Sequence, residues 1–144
     1  PLKLVGPDSA SFSMWLSGDA EHGALAYFDA AGYDVSPGMN VNVVKGNHHG
    51  SCNGVTRRYL ELLSPDWTAI SVGGNNSFGH VNTQTKALLN DMGIPWYRTD
   101  QNGTITFRTT GAPGAGYTVS VENAGVSLSG STDGTSASSA CNGM

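Results

Sequence analysis

Apolar positions recur with two alternating periods along the chain. Residues 11–17 alternate around Phe12, Met14 and Leu16 and predict a strand that ends in Ser17-Gly18-Asp19. Residues 21–30 carry Leu25, Tyr27 and Phe28 among good helix formers, with Gly32 placed as a C-terminal cap. Residues 41–45 are β-branched and apolar and predict a buried strand, stopped by Gly46-Asn47-His48-His49-Gly50-Ser51. Residues 55–63 set Tyr59, Leu60, Leu62 and Leu63 on one helical face ahead of Pro65. A strand follows at 67–72, closed by Gly73-Gly74, and then a helix at 83–92 with Asn82 as its cap and Gly93 just past its end. Residues 96–98 and 104–109 read as strands joined across Asp100-Gln101-Asn102-Gly103, whose Asn-Gly pair is a hairpin signal. The order β-α-β-α-β-α-β-β predicts an α/β fold, a mixed sheet with flanking helices.

Past residue 110 the composition turns to Gly, Ser, Thr, Ala and Val. Residues 117–121 and 126–129 alternate as edge strands do, and 129–144 form a polar low-complexity tail. We therefore divide the chain into a body, 1–110, and a β extension and tail, 111–144, within one domain. A length of 144 residues supports one core rather than two. Charged residues make up only 12% and the formal charge is −4, which excludes a domain that grips duplex nucleic acid mainly by neutralising phosphates. No run of about 18 apolar residues is present, so no membrane span is expected.

The first residue is Pro and no basic or apolar leader follows it, which fits a processed product or a fragment; a cleaved secretory signal agrees with this. The two cysteines, Cys52 and Cys141, are too few and too far apart for a cysteine zinc site. One disulfide between them, and with it a secreted location, is the preferred reading; two free thiols is the alternative. Asn75-Asn76-Ser77 and Asn102-Gly103-Thr104 match glycosylation sequons, a pattern short enough to arise by chance.

Three polar clusters lie just after predicted strands: Ser17-Gly18-Asp19, Asn47-His48-His49-Gly50-Ser51 and Asn75-Asn76-Ser77-Phe78-Gly79-His80. Ligands bind at the carboxyl ends of strands in open sheets, and carboxylate with imidazole suits a divalent cation. Each residue also has a plainer explanation. Asp19 sits where it could cap the helix after it. The histidine pair suits an exposed Gly-rich loop, and His80 suits a bond to a backbone carbonyl. His22 reads as an ordinary exposed helix residue, and Tyr59, Trp67, Trp96 and Tyr97 as packing. Gly73-Gly74 meets neither the dinucleotide nor the P-loop spacing.

Taken in order, Ser17-Gly18-Asp19, Val43 to Ser51, Ile70 to His80 and Tyr97-Arg98-Thr99-Asp100-Gln101-Asn102-Gly103-Thr104-Ile105 resemble the second half of the metallo-β-lactamase fold. The resemblance runs over about residues 10–108 and is closest to the hydrolase domain attached to bacterial competence (DNA-uptake) proteins. It implies half of an α/β/β/α sandwich with a two-metal site at the edge between its sheets. It makes Asp19 the carboxylate that bridges the metals and His49 a ligand. His48 is a supporting or substrate-contacting residue, with the choice of ligand between the two histidines left open. It gives His80 a hydrogen bond or proton to a phosphoryl oxygen, and Asn76 a place at the substrate. The family's proline after this Gly-His pair is Val81 here, and Asn47 is an insertion before the histidine pair.

The family's His-x-His-x-Asp-His motif does not occur in this chain, and only 18 residues precede Asp19. The resemblance thus implies two metal ligands here, the rest coming from an N-terminal half of the same fold, cleaved or separate. Two divalent ions, zinc or manganese, would be shared with residues outside this chain. The implied activity is metal-dependent hydrolysis of phosphodiesters, as a nuclease or phosphodiesterase. The alternative is a secreted structural or binding module that keeps the scaffold without a complete metal site.

Overall fold

The computed structural model describes residues 2–5, 12–31 and 40–125. Five strands form one sheet in the order β1-β2-β3-β4-β5: Leu2–Val5, Ser13–Leu16, Val43–Lys45, Trp67–Ile70 and Trp96–Arg98. β2 to β5 run parallel, and β1 joins β2 antiparallel. Helices α1 (His22–Ala30), α2 (Arg57–Leu63) and α3 (Thr83–Asp91) make the three crossovers. Consecutive strands that step in one direction through right-handed crossovers put all their helices on one face.

Registers identify that face. Trp15 lies beside Val44, Val44 beside Thr68, Thr68 beside Trp96, and Ile70 beside Arg98. All six are buried. Two apolar clusters fill the space beneath the helices. One joins Trp15, Leu25, Val41, Val44, Tyr59 and Leu63. The other joins Val55, Leu60, Ile70, Val72, Val81, Leu89, Ile94 and Trp96. α2 serves both, because its Tyr59 and Leu63 point to the first and Leu60 to the second.

The opposite face carries Met14, Val43, Lys45, Trp67, Ala69 and Tyr97, with the Trp67 and Tyr97 rings stacked 5.2 Å apart. A second sheet is formed by two antiparallel strands, β6 (Ile105–Arg108) and β7 (Thr118–Val121). Its register pairs Ile105 with Val121 and Phe107 with Val119, which gives it one apolar face. The rings of Phe12, Phe107 and Tyr117 meet at 5.2 to 6.3 Å. The Tyr117 hydroxyl donates to Asp66 Oδ2 at 3.0 Å. Burial first, and then the Asp66 carboxylate, push the Tyr117 phenol well above its usual range. Phe12 and Asp66 stand just before β2 and β4, so the hairpin is fastened at the amino ends of the strands, away from the polar clusters.

The fold is mixed α/β, as the alternation of elements predicts. The strand over 2–5 has no counterpart in that expectation. The join between β5 and β6 is corrected: residues 99–102 form a short helix, α4 (Thr99–Asn102), and the two strands belong to different sheets. Local bonds outweigh the Asn-Gly hairpin preference here. Arg98 donates from Nε and Nη2 to the two oxygens of Asp100, at 2.7 and 2.6 Å, with both side chains buried. Asn102 Oδ1 accepts from Arg98 N, and Gly103 leaves the helix at a φ of 65°. Asn82 precedes α3 as expected, yet its side chain does not cap it; Oδ1 accepts from Cys52 N and Nδ2 donates to Gly79 O. Gly32, the strand over 126–129, the tail and Cys141 lie outside the described residues, so the Cys52–Cys141 pairing is not described; Cys52 itself is buried.

Candidate functional site

All three polar clusters follow parallel strands and meet at their carboxyl ends. Ser17-Gly18-Asp19 leaves β2, where Gly18 turns at a φ of 61°. After β3, residues 47–50 form a tight 3-10 turn in which His48 and His49 both take left-handed backbone, at φ 44° and 55°. Side-chain-bearing residues in that region cost about 1–3 kcal/mol each and persist only where the surroundings enforce them. Here the His48 N–H donates to Gly18 O at 3.1 Å, which ties the second cluster to the first. Gly50 follows at φ 81°; a Cβ there would lie 2.7 Å from Val81 Cγ1, so only glycine fits. Behind the turn, fully buried Asn47 accepts from the Ser17 hydroxyl, which in turn accepts from Tyr59 Oη at 3.2 Å. Burial raises the Tyr59 phenol above its ordinary value, so this donor keeps its proton.

The functional side chains converge. Asp19 Oδ1 lies 3.6 Å from His49 Nε2. The other ring nitrogen, His49 Nδ1, is 2.7 Å from Ser71 O just past β4. A carbonyl only accepts, so Nδ1 carries a proton, and Nε2 is the ring nitrogen turned toward Asp19. At that distance Nε2 and the carboxylate oxygen can share either a proton carried on Nε2 or a cation held between them. Donors about 2.0–2.1 Å from a tetrahedral zinc stand roughly 3.3 Å apart, so the pair fits a shared cation with a small widening. The Ser71 carbonyl is itself steadied by its neighbour. Thr99 Oγ1 accepts from Val72 N and donates to Val72 O, both at 2.9 Å.

His48 Nδ1 sits 2.6 Å from Glu21 Oε1, an ion-pair approach without hydrogen-bond alignment. The His80 ring lies 5.2 Å from that of His48 and 6.5 Å from that of His49. Burial, and next the positive fields of His48 and His49, hold the His80 imidazole below its usual 6.5. Both effects favour the uncharged ring, which has one N–H to offer an oxyanion. Asn76 closes the loop that carries His80. Its Nδ2 donates to Gly73 O at 2.9 Å and His80 O at 2.7 Å, and its Oδ1 accepts from His80 N at 2.7 Å. Its amide is thus occupied within the loop. His22 is exposed on α1, Tyr59 and Trp96 are core residues, and Trp67 and Tyr97 pack on the sheet.

The structure brings Asp19, His48, His49 and His80 together and adds two participants that sequence reasoning missed. Glu21 stands two residues after Asp19 on the same loop, and that proximity was the available signal. The Ser71 carbonyl is backbone and leaves no signature in side-chain identity. Among the described residues no three His, Cys, Asp or Glu side chains converge as a metal-binding set. Nor is any helix among them long and apolar enough to cross a membrane.

Comparison with known proteins gives one similarity. Over 75 residues, 52% of this chain, it is 37% identical to ComE operon protein 3 of Bacillus subtilis (strain 168). The match takes in only 10% of that protein, so this chain spans a small part of the relative's length. No family model and no solved structure matches the chain.

Proposed function

We propose that this chain is the C-terminal half of a metal-dependent phosphodiester hydrolase of the metallo-β-lactamase type, active when joined to an N-terminal half. The observation that carries the reading is the approach of Asp19 Oδ1 to His49 Nε2 at 3.6 Å, with the His49 tautomer set by Ser71 O. The similarity to ComE operon protein 3 agrees with the competence-protein branch of the resemblance. Two residues do not hold a dinuclear centre, and zinc sites usually take three or four protein ligands. The N-terminal half would supply the others.

Asp19 and His49 would hold the ions, zinc or manganese. When bound, such a pair supplies a water acidic enough to act as a nucleophile near neutral pH and clamps the oxygens of the scissile group. The Asp19 carboxylate would hold the ions and help to orient the nucleophile they supply. His80, neutral and pre-positioned by Asn76, donates its N–H to the phosphoryl oxygen as charge grows there. His48, held toward Glu21, adds a second polar ring on the same side. Asn76 acts on the substrate through His80.

The test is Asp19→Asn in the assembled protein, assayed on bis(4-nitrophenyl) phosphate. The variant keeps the volume and exposure of Asp19 and folds as the parent does. Its kcat/KM is expected to fall at least about 100-fold. Turnover equal to the parent's removes Asp19 from the chemistry and favours the binding-module reading.

A further inference from the structure

Among the described residues two large apolar side chains stand exposed, Tyr27 on α1 and Phe78 on the loop after β4. Tyr27 contacts the neighbouring ring of Phe28 on its own helix. Phe78 is different in both place and support. Its side chain is 77% exposed, although burying a phenylalanine ring would stabilise the fold by about 1.5–3 kcal/mol. The loop that holds it is tied by the three Asn76 bonds and by Asn82 Nδ2 on Gly79 O at 3.3 Å. An apolar ring displayed in water on a braced loop is pre-organised for something planar.

Its neighbours say where that planar group would come from. The Phe78 and His80 rings are 5.9 Å apart with planes 27° from parallel, and His80 and His49 are 6.5 Å apart at 20°. His80 therefore stands beside both rings, near parallel to each, and links Phe78 to the Asp19–His49 pair. A phosphoryl group held between Asp19, His49 and His80 would place an ester substituent one step further along, over Phe78. We propose that Phe78 is a specificity-determining platform, beside His80, that stacks a flat aromatic substituent of the phosphodiester. The proposal rests on the hydrolase reading for the position of the phosphoryl group. Ring stacking tolerates any planar group, so Phe78 selects for flatness and not for a particular ring.

The experiment is a binding titration of the full chain with two diesters of equal charge, methyl phenyl phosphate and dimethyl phosphate, followed by the amide signals of Phe78 and His80. The phenyl ester is expected to bind about tenfold more tightly, the size of one ring–ring stack. Phe78→Ala is expected to abolish that preference, Phe78→Trp to restore it, and Tyr27→Ala to leave it unchanged. Equal binding of the two diesters, no binding of either, or a preference that survives in Phe78→Ala overturns the platform. Failure of the hydrolase reading has a different signature: a phenyl preference that depends on Phe78, in an assembled protein that turns over no diester.

Discussion

At the scale of single residues, the site depends on how His49 is oriented. Its Nδ1–H is directed by Ser71 O, and that peptide's neighbour is gripped on both sides by Thr99 Oγ1. Thr99→Val keeps the shape and removes both bonds. It leaves Val72 N and O without that partner, at a cost of about 1–3 kcal/mol. The account expects the imidazole 15N signals of His49 to move from a single Nδ1–H form toward a mixture of tautomers, and Thr99→Ser to restore the single form. An unchanged His49 spectrum in Thr99→Val separates Thr99 from the site. Residue identity made some of this legible. Asp19, His48, His49 and His80 stand out as polar side chains among glycines immediately after apolar runs. Glu21 did not, because its approach to His48 exists only once two loops fold against each other.

At the scale of elements, strands and helices were readable wherever apolar spacing was regular. β2 to β5 and α1 to α3 lie within a few residues of their expected places. The misread element was 99–102. The Asn-Gly pair suggested a hairpin, whereas the buried Arg98–Asp100 pair and the Asn102 bond to Arg98 N wind the segment into a helical turn. That outcome sends β6 to the second sheet, where Glu122 fastens its start. Glu122 Oε2 accepts from Thr104 N at 3.0 Å and from Thr104 Oγ1 at 3.1 Å. These two bonds hold the Glu122 carboxyl below its usual 4.5. A carboxyl depressed in the folded state contributes stability above its unfolded value and loses it as pH falls through the folded value. The protection of the Thr104 amide against hydrogen exchange should therefore drop as pH is lowered below 4.5. In Glu122→Gln, whose amide oxygen still accepts, the drop should vanish. An identical acid response in the two proteins would show that Glu122 does not fasten the hairpin.

At the scale of the whole molecule, a five-stranded sheet with three crossover helices is joined by a separate two-stranded sheet. Among the described residues the second sheet has two strands, and the cluster of Asp19, His48, His49 and His80 supplies fewer ligands than a dinuclear centre needs. The proposed N-terminal half would have to bring the further ligands. A Cys52–Cys141 disulfide would close a long loop across this molecule, worth about 4–5 kcal/mol by chain entropy. Peptide mapping without reductant is expected to recover the two cysteines cross-linked, and alkylation of both as thiols would remove the bond and the secreted location that depends on it. The measurement that bears most directly on the whole account is the metal content of the assembled protein. We expect about two zinc or manganese ions per site in the parent, as in two-metal hydrolases, and the loss of at least one in Asp19→Asn. An assembled parent free of metal, or a variant that keeps both ions, contradicts it.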